Sequence, residues 1–366
     1  MLMNAARSRL ARGRTYLMYS AAVWLTACST AGPSLPAAPA SRAPENAGTA
    51  PLASASVTPV LTRSGAPIVQ IIEQQNRLYT VAAPILLNNA VLCKRNAHSV
   101  TAFIAKTQYS YSSDLAAAAK QAFGLGERLQ IMTVFPDSAA SRSGLLPGDI
   151  LLAVGDSKIV PGPNAERDAA KMVELASKGR LAISLTILRG TASMTVNLPL
   201  SRACAFDIEL GNTDNVNSYT DGRRVMITRG LLDFARSDQE LAYILAKEIA
   251  HGALEKTARP GMHAMIDKLM VNQSATGAAV RAPILQPYVP VSDATADKLA
   301  LYMLVRAGAD IDDAQSFWQR LATQYPAAKS NSYTALHPAT PYRLSVIKAV
   351  MATIKLKQSN TLPLIP

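Results

Sequence analysis

Apolar and polar positions change their period along the chain, and each period predicts a different element. Residues 129–134 alternate between apolar and polar side chains, as a half-buried strand does. The pattern after it predicts a turn-rich stretch at residues 143–149 and a second strand at residues 150–154. It then predicts a helix at residues 164–177 and two further strands at residues 181–188 and 193–198. This succession predicts a compact, β-rich module in the middle of the chain.

A helix is predicted further on, because Ser237-Asp238-Gln239-Glu240 has the form of a capping box. The helix continues through residues 241–252. Positions 244, 247, 248 and 251 follow i, i+3, i+4, i+7 spacing, so Lys247, Glu248 and His251 share one face. Charged residues on a helix face are usually solvated, and this face alone is weak evidence of chemistry.

The first 27 residues contain four arginines and no acid, and an apolar run occupies residues 16–27. That run is about half the roughly 20 residues that a membrane span needs, which is typical of a signal peptide. It ends in Leu25-Thr26-Ala27-Cys28, which resembles the lipobox of bacterial lipoproteins. The resemblance implies diacylation of Cys28 and, with Ser29 after it, a place on the outer membrane facing the periplasm. The alternative is an ordinary signal peptide that ends near a cysteine.

Residues 28–65 consist mainly of Pro, Ala, Ser, Thr and Gly, a composition that cannot bury a core and predicts a flexible tether. Folded protein is therefore expected to begin near Ile68. Once Cys28 is acylated, Cys93 and Cys204 are the two remaining thiols. In an oxidising periplasm they can pair as a disulfide; the alternative is two reduced, buried cysteines.

Composition and charge narrow the function. Of 366 residues 49% are apolar and 17% charged, which predicts folded protein over most of the length. Three cysteines exclude a four-cysteine zinc site. The net charge of +12 falls to +8 over 339 residues once the four arginines of residues 1–27 are left out. Because no long basic run remains, nucleic acid is not an expected partner, and a diffuse excess suits anionic lipid better.

The stretch at residues 137–156 contains Ser143-Gly144-Leu145-Leu146-Pro147-Gly148-Asp149 and resembles a PDZ domain of the bacterial protease type. The resemblance covers about 95 residues and implies a groove that adds an extended peptide as a strand and captures its C-terminal carboxylate. Gly124, Leu125 and Gly126 are expected to form the carboxylate loop before the first strand. The alternative is that they form a simple turn and that the domain is a spacer.

A series of phrases on both sides of the predicted helix resembles the zinc metallopeptidases that include the heat-shock membrane protease, the CAAX prenyl proteases and periplasmic quality-control lipoproteins. The phrases are Asn217-Ser218-Tyr219-Thr220, Arg229-Gly230-Leu231-Leu232-Asp233, Asp293-Ala294-Thr295-Ala296-Asp297, Ser316-Phe317-Trp318 and His337-Pro338 with Arg343. The resemblance runs from about residue 204 to 350 and includes the helix at residues 70–92.

These resemblances imply an α+β fold with a mainly helical, gluzincin-type peptidase core, a small sheet and an inserted β-rich PDZ domain. The domain boundaries follow in chain order: signal peptide 1–27, tether 28–65, N-terminal part of the peptidase domain 66–104, PDZ domain 105–203 and metallopeptidase-like domain 204–366. If Cys93 and Cys204 pair, their bond joins the two ends of the insertion.

Position by position, the metallopeptidase resemblance makes Glu248 the general base and His251 the second histidine ligand of zinc. Asp293 stands where the family has a ligand glutamate, and Asp297 matches the supporting aspartate. Lys247 replaces the first histidine ligand, so the zinc site is incomplete. Aspartate for glutamate shortens the ligand arm by roughly 1 Å, whereas zinc–oxygen distances are specified to about 0.2 Å. Lysine for histidine puts an ammonium beside a dication.

Several roles stay open at this point. The Lys247 ammonium either takes part of the place of zinc and neutralises Asp293 or Glu248, or it snorkels to solvent without a role. His337 and Arg343 are supporting residues, and His337 either touches the site or merely packs. His98 and His263 are expected to be solvated. The strand at residues 224–228 is either the edge strand that pairs with substrate or an ordinary edge.

Two functions follow. The first is a zinc endopeptidase that degrades misfolded or unlipidated envelope proteins, to which the PDZ domain presents chain ends. The second is a pseudopeptidase, an assembly or quality-control adaptor that binds polypeptides in the same cleft and groove without hydrolysis. In both, the partners are polypeptides, including C-terminal tails, and the membrane is reached through the lipid anchor.

Overall fold

The structure, a computed structural model, describes residues 66–255, 259–270, 285–329 and 332–366. The predicted signal peptide, the tether and the acylation site Cys28 lie outside the described residues. All described residues belong to one compact unit, Leu61–Pro366. Within the described ranges, no helix combines the length and the apolar character that crossing a bilayer requires.

Helices and sheets are mixed along the described ranges, as the predicted α+β class requires. The helices are α1 (Ala66–Asn88), α2 (Ala90–Cys93), α3 (Ser113–Phe123), α4 (Ala139–Arg142), α5 (Ala165–Ser177), α6 (Arg229–Phe234), α7 (Asp238–Leu254), α8 (Met262–Leu269), α9 (Pro290–Arg306), α10 (Ala314–Gln324), α11 (Tyr333–Leu336) and α12 (Pro341–Ser359). The strands are β1 (Ala97–Val100), β2 (Phe103–Lys106), β3 (Gln130–Val134), β4 (Ile150–Val154), β5 (Ser157–Lys158), β6 (Ala182–Arg189), β7 (Ala192–Pro199), β8 (Ser201–Cys204), β9 (Asp207–Gly211), β10 (Ser218–Thr220) and β11 (Arg224–Thr228).

Strands β2 to β7 form the β-rich module that the sequence predicts. Its sheet has the order β2-β3-β4-β6-β7, with β5 paired to β4, and the predicted helix is α5. We call this part of the chain, from β2 to β7, the inserted module. Strand β2 lies at one edge of the sheet, so its outer side has no neighbouring strand within the sheet.

Gly124, Leu125 and Gly126 lie directly before the predicted strand at residues 129–134, which is β3. That strand is not the first of the module, however, because β2 and α3 come before these three residues. Gly124 ends α3 in the left-handed conformation, with φ at 69°, and donates its N–H to the Lys120 carbonyl at 2.9 Å. Leu125 is fully buried, and the Gly126 carbonyl accepts a bond from the Gln108 N–H at 2.8 Å. Only the expectation that residues 129–134 form the first strand is wrong, because the four residues of β2 are too few to show a period.

The two ends of the inserted module meet. Strand β1 pairs antiparallel with β8, so that Ala97 lies opposite Cys204. Cys93 and Cys204 form a disulfide with their Cα atoms 5.5 Å apart, and both side chains are buried. The chain leaves the helical core and returns to it at the same place.

A three-stranded sheet lies beside the helical core in the order β10-β11-β9. The strand at residues 224–228 is β11, which pairs with β10 on one side and, in parallel, with β9 on the other. The expectation that it is an edge strand was therefore wrong, and the edge beside α7 is β10. Alternation within one strand does not reveal which strands lie on its two sides, and this is why the sequence could not decide it.

Helix α7 lies in the centre of the core. Ser237 caps it by accepting the Glu240 N–H at 3.2 Å, as the capping pattern predicts. Every residue from 241 to 253 is buried, so the face that carries the charged residues is not solvated. Gly252 permits the close approach, because a Cβ atom there would lie 2.5 Å from Cε1 of Phe206 and 3.1 Å from Oγ1 of Thr220.

Candidate functional site

Helices α7 and α9 bring the predicted site residues together. Lys247 faces Asp297, and His251, one turn further along α7, faces Asp293, which is one turn earlier on α9. The helices are therefore antiparallel at the site. His337 enters after α11 and Arg343 from α12. All of the seven predicted residues are at most 3% exposed: Lys247, Glu248, His251, Asp293, Asp297, His337 and Arg343.

The Lys247 ammonium forms the centre of the cluster. Its Nζ lies 2.8 Å from Oδ1 of Asp293 and 2.7 Å from Oδ1 of Asp297. The side chain is completely buried, which excludes the snorkelling alternative. The ammonium thus neutralises Asp293, one of the two partners that the sequence analysis names. Its second partner is Asp297 and not Glu248.

Arg343 supplies a second cation to the same two carboxylates. Its Nε donates to Oδ2 of Asp297 at 2.7 Å, and its Nη1 lies 2.9 Å from Oδ2 of Asp293. Burial alone would raise the pKa of each carboxyl, but the Lys247 charge, with Arg343 beside Asp297, holds both pKa values below their usual range. Two cations therefore balance two carboxylates in the interior.

Both histidines donate to a single oxygen of Asp293. Nε2 of His251 lies 2.9 Å from Oδ1, and Nδ1 of His337 lies 2.8 Å from the same atom. Burial lowers the pKa of His251 to about 4 and that of His337 to about 3, because an imidazolium is poorly solvated there. At neutral pH both rings are neutral and their N–H groups face the carboxylate. His337 thus touches the site and does not merely pack.

Glu248, the predicted general base, is buried without a strong partner. Among the described residues neither of its oxygens accepts a hydrogen bond of regular geometry, and the nearest ring nitrogen, Nε2 of His337, is 3.4 Å away. Burial raises the pKa of Glu248 to about 8, and the nearby Lys247 charge and Ser218 hydroxyl offset only part of this. The carboxyl is therefore largely protonated at neutral pH, whereas a general base must be ionised.

Three donor groups in the cluster have the chemistry of metal ligands. The ligand atoms of His251, Asp293 and His337 lie within 4.8 Å of one another and could hold a metal ion. The family's zinc arrangement does not fit, however, because zinc needs a distance of about 2.0–2.2 Å to a carboxylate oxygen that already receives three donors. One of these is the Lys247 ammonium at 2.8 Å, whose charge repels a dication.

Aromatic rings close the site. The Tyr288 ring lies 4.0 Å from the His251 ring and 4.6 Å from the His337 ring, centroid to centroid. The Arg259 guanidinium lies over the same ring at 3.9 Å from its centroid, and the Tyr288 N–H donates to the Leu336 carbonyl at 2.7 Å. The cavity beside His337 measures about 10 Å³, room for about one water molecule. Among the described residues, the burial of the cluster and this small volume leave no room for a polypeptide beside it.

Sequence reasoning missed Tyr288, and it did not assign a role to Trp318. The Trp318 ring lies 5.3 Å from Nζ of Lys247 and stacks on Tyr333, which in turn stacks on His337. No spacing or motif marked Tyr288, which reaches the site from a segment without regular secondary structure. His98 is exposed, and His263 is 73% exposed and bonds to Asp221, so neither replaces the missing ligand.

Comparison with known proteins gives one family match. Residues 186–351 match the model of Peptidase family M48, and no curated protein sequence matches this chain. Among solved structures, the HtrA3 PDZ domain bound to a phage-derived ligand is 15% identical with a TM-score of 0.21, covering 29% of this chain and 86% of that one. The HtrA-type protease AlgW with a decapeptide is 21% identical with the same TM-score, covering 29% of this chain and 30% of that one. Family M48 consists of zinc metallopeptidases, and the match supports the assignment of residues 186–351 to the metallopeptidase family.

Proposed function

We propose that this chain is a metallopeptidase-like protein that binds polypeptides without hydrolysing them. The observation that carries the proposal is the fully buried Lys247 ammonium between Asp293 and Asp297, at 2.8 and 2.7 Å. It stands where the resemblance places a zinc ligand. The raised pKa of Glu248 supports the same conclusion, because a carboxyl that is largely protonated at neutral pH is a poor general base.

Magnitudes favour the ion pairs over a zinc ion. Loss of a partner that only orients a ligand weakens metal sites roughly 10–100-fold, and loss of a direct ligand costs more. A zinc ion would also separate Lys247 from Asp293 and leave a buried ammonium with less compensation, which costs several kcal/mol. The cluster is balanced in charge without an ion.

Polypeptide binding is proposed to use the inserted module, because the candidate site is closed by aromatic rings in this conformation. The free edge of β2 offers backbone groups to an added strand, in the manner of the PDZ domain that the sequence resembles. Clients would be misfolded envelope polypeptides, including their C-terminal tails. The lipoprotein signal implies an anchor in the outer membrane and a chain that faces the periplasm.

A second candidate function is a zinc endopeptidase whose ligands are His251, Asp293 and His337. The donor cluster of these three residues favours it. This arrangement would need the Lys247 ammonium to leave Asp293 and the Glu248 proton to be lost. The two candidates differ in zinc content, which can be measured directly.

Zinc content and casein cleavage separate the candidates. For the native chain we expect far less than one zinc per chain and no cleavage above that of Glu248→Gln. The double variant Lys247→His/Asp293→Glu restores the family's ligand types, and we expect it to bind zinc. Measurement is by elemental analysis of purified protein and by release of peptides from casein.

The opposite result is equally clear. One zinc per native chain, together with casein cleavage that Glu248→Gln abolishes, would establish the endopeptidase. Lys247→Arg is the matched control for the double variant, because it changes the same position and keeps the cation. We expect it to bind no more zinc than the native chain.

Opening of the site can be tested through histidine reactivity. The chain has four histidines. In the native protein we expect diethyl pyrocarbonate to modify His98 and His263 quickly and to spare His251 and His337, which are 1% exposed. Tyr288→Ala removes the ring that covers both buried imidazoles, so we expect all four to react quickly. Peptide mass mapping measures the modification at each position.

Two controls accompany the Tyr288→Ala variant. Tyr288→Phe keeps the ring, and we expect it to retain the native pattern. Tyr342→Ala removes a half-exposed tyrosine from α12 and should also leave the pattern unchanged. If His251 and His337 stay unreactive in Tyr288→Ala, the ring does not control access to the cluster.

A further inference from the structure

A set of exposed basic residues lies where the inserted module joins the core, away from the candidate site. Lys94 and Arg95 follow α2, Arg202 lies on β8, and Arg223 lies in the turn between β10 and β11. All four side chains are exposed. We call these four residues the basic surface.

Backbone and disulfide bonds hold these segments together. The Cys93–Cys204 disulfide joins the residue before Lys94 to the strand that carries Arg202. The Ala205 N–H donates to the Asn96 carbonyl at 2.8 Å, and the Asn96 side chain donates to the Gly222 carbonyl at 2.8 Å. Each of the four cations is one or two residues away from a residue that forms the disulfide or one of these hydrogen bonds. The bonds therefore bring the cations to one region of the surface.

Acidic residues offset little of this charge. Arg223 pairs with Asp207 at 3.2 Å, but the two side chains are 84% and 57% exposed, so solvent weakens the pair. Burial raises the pKa of the Glu255 carboxyl, and the nearby Arg95 charge lowers it by less. Within the described part of the chain, Lys94, Arg95 and Arg202 form no ion pair. An excess of positive charge therefore remains on this surface.

Two further features belong to the same place. Val91, on α2 just before the cations, is 66% exposed and adds an apolar side chain. Lys94 has a φ of 47°, in the left-handed region that residues other than glycine rarely adopt. The chain retains this unfavourable conformation at the position that presents one of the four cations.

We propose that the basic surface docks onto a membrane that contains anionic phospholipids. The cations come from three segments and lie spread over a surface, which matches a layer of headgroups better than a single phosphate in a pocket. Exposed lysine and arginine attract anionic lipid, and an apolar side chain such as Val91 can enter the headgroup region. The proposal needs neither the candidate site nor the edge of β2, so it does not depend on the proposed function. It is also independent of acylation at Cys28.

The test uses residues 61–366, the compact unit that contains every buried residue described, so that the arginines of residues 1–27 and Cys28 contribute nothing. Binding is measured by co-sedimentation with vesicles of phosphatidylcholine alone or mixed with phosphatidylglycerol. We expect binding to the mixed vesicles only. The variant Arg95→Gln/Arg202→Gln/Arg223→Gln should bind about 100-fold more weakly, since each of the three cations near an anionic membrane contributes roughly fivefold.

The matched control removes three cations from the inserted module, Arg128→Gln/Lys158→Gln/Lys171→Gln, all of them exposed in the native chain. It should keep the native affinity within about threefold, because none of the three residues lies on a segment that carries the basic surface and charges beyond ~10 Å are screened at moderate salt. The variant Arg95→Lys/Arg202→Lys/Arg223→Lys keeps the charge and should bind as the native chain does. Circular dichroism of all three variants checks that they are folded.

Three results would overturn the proposal. The native unit could bind both kinds of vesicle equally, or neither. The two glutamine variants could lose binding equally, in which case net charge and not this surface is responsible. The surface could bind heparin or DNA and show no binding to anionic vesicles, in which case its partner is a polyanion and not a membrane.

Discussion

Replacing Lys247 by methionine is expected to lower the free energy of unfolding by about 3–5 kcal/mol, the usual cost of removing one partner from a buried ion pair. The methionine fills a similar volume but leaves Asp293 and Asp297 with only Arg343 as a cationic partner. Both carboxylates are at most 2% exposed, so water cannot compensate. Urea unfolding, followed by circular dichroism, measures the difference.

The control for this experiment is Lys178→Met. Lys178 forms an exposed i, i+4 pair with Glu174 at 3.6 Å, so its loss should cost less than about 1 kcal/mol. Glu248→Gln is a second control within the cluster. Because the Glu248 carboxyl is protonated at neutral pH, the neutral amide should not destabilise the fold. A loss below about 1 kcal/mol in Lys247→Met would show that the ammonium is not the counter-charge of the two carboxylates.

Acid titration checks the same ion pairs independently. The pKa values of Asp293 and Asp297 are lowered in the folded state, so these groups stabilise the fold above their unfolded pKa of about 3.9. This stability is lost as the pH falls below that value. We expect the native protein to lose stability more steeply on acidification than Lys247→Met, in which the carboxylates are less strongly stabilised.

The double variant Cys93→Ala/Cys204→Ala is expected to lower the free energy of unfolding by up to about 5 kcal/mol. The disulfide closes a separation of 111 residues, and a cross-link over so long a loop restricts the unfolded chain strongly. Both cysteines are buried, so the removed sulfurs also leave a small packing defect. Urea unfolding with and without a thiol reductant measures the effect.

Reductant provides the internal control for the disulfide. It should move the unfolding midpoint of the native protein toward that of the double variant and leave the double variant itself unchanged. Cys28→Ala removes the one other cysteine and should not move the midpoint. Equal midpoints for the native protein and the double variant, both without reductant, would show that the bond does not stabilise the fold.

Much of the local structure could be predicted from the sequence. Helices α5 and α7 begin and end close to the predicted residues, since capping and periodicity are local properties. The placement of β2 and β11 could not be predicted, because strand order depends on partners distant in the chain. The existence of β2 could not be predicted for a different reason: a four-residue strand has too few positions to reveal its period.

The sequence by itself identified the charged residues and the histidines of the candidate site, although not Tyr288. The resemblance named Lys247, Glu248 and His251 on one helix, with Asp293 and Asp297 on another, and it showed that a ligand histidine is replaced by lysine. Their identities are what the resemblance implies, and its motifs can be read directly from the order of residues.

Only the tertiary structure decided what those residues do together. It paired Lys247 with Asp293 and Asp297, made both histidines donors to one carboxylate oxygen, and brought in Tyr288 as a cover. Burial is the physical reason. The same side chains in water would titrate near their ordinary pKa values and pair weakly, whereas the interior fixes their protonation and makes the balance of charge decisive. That balance depends on distances across helices, which no local pattern of residues contains.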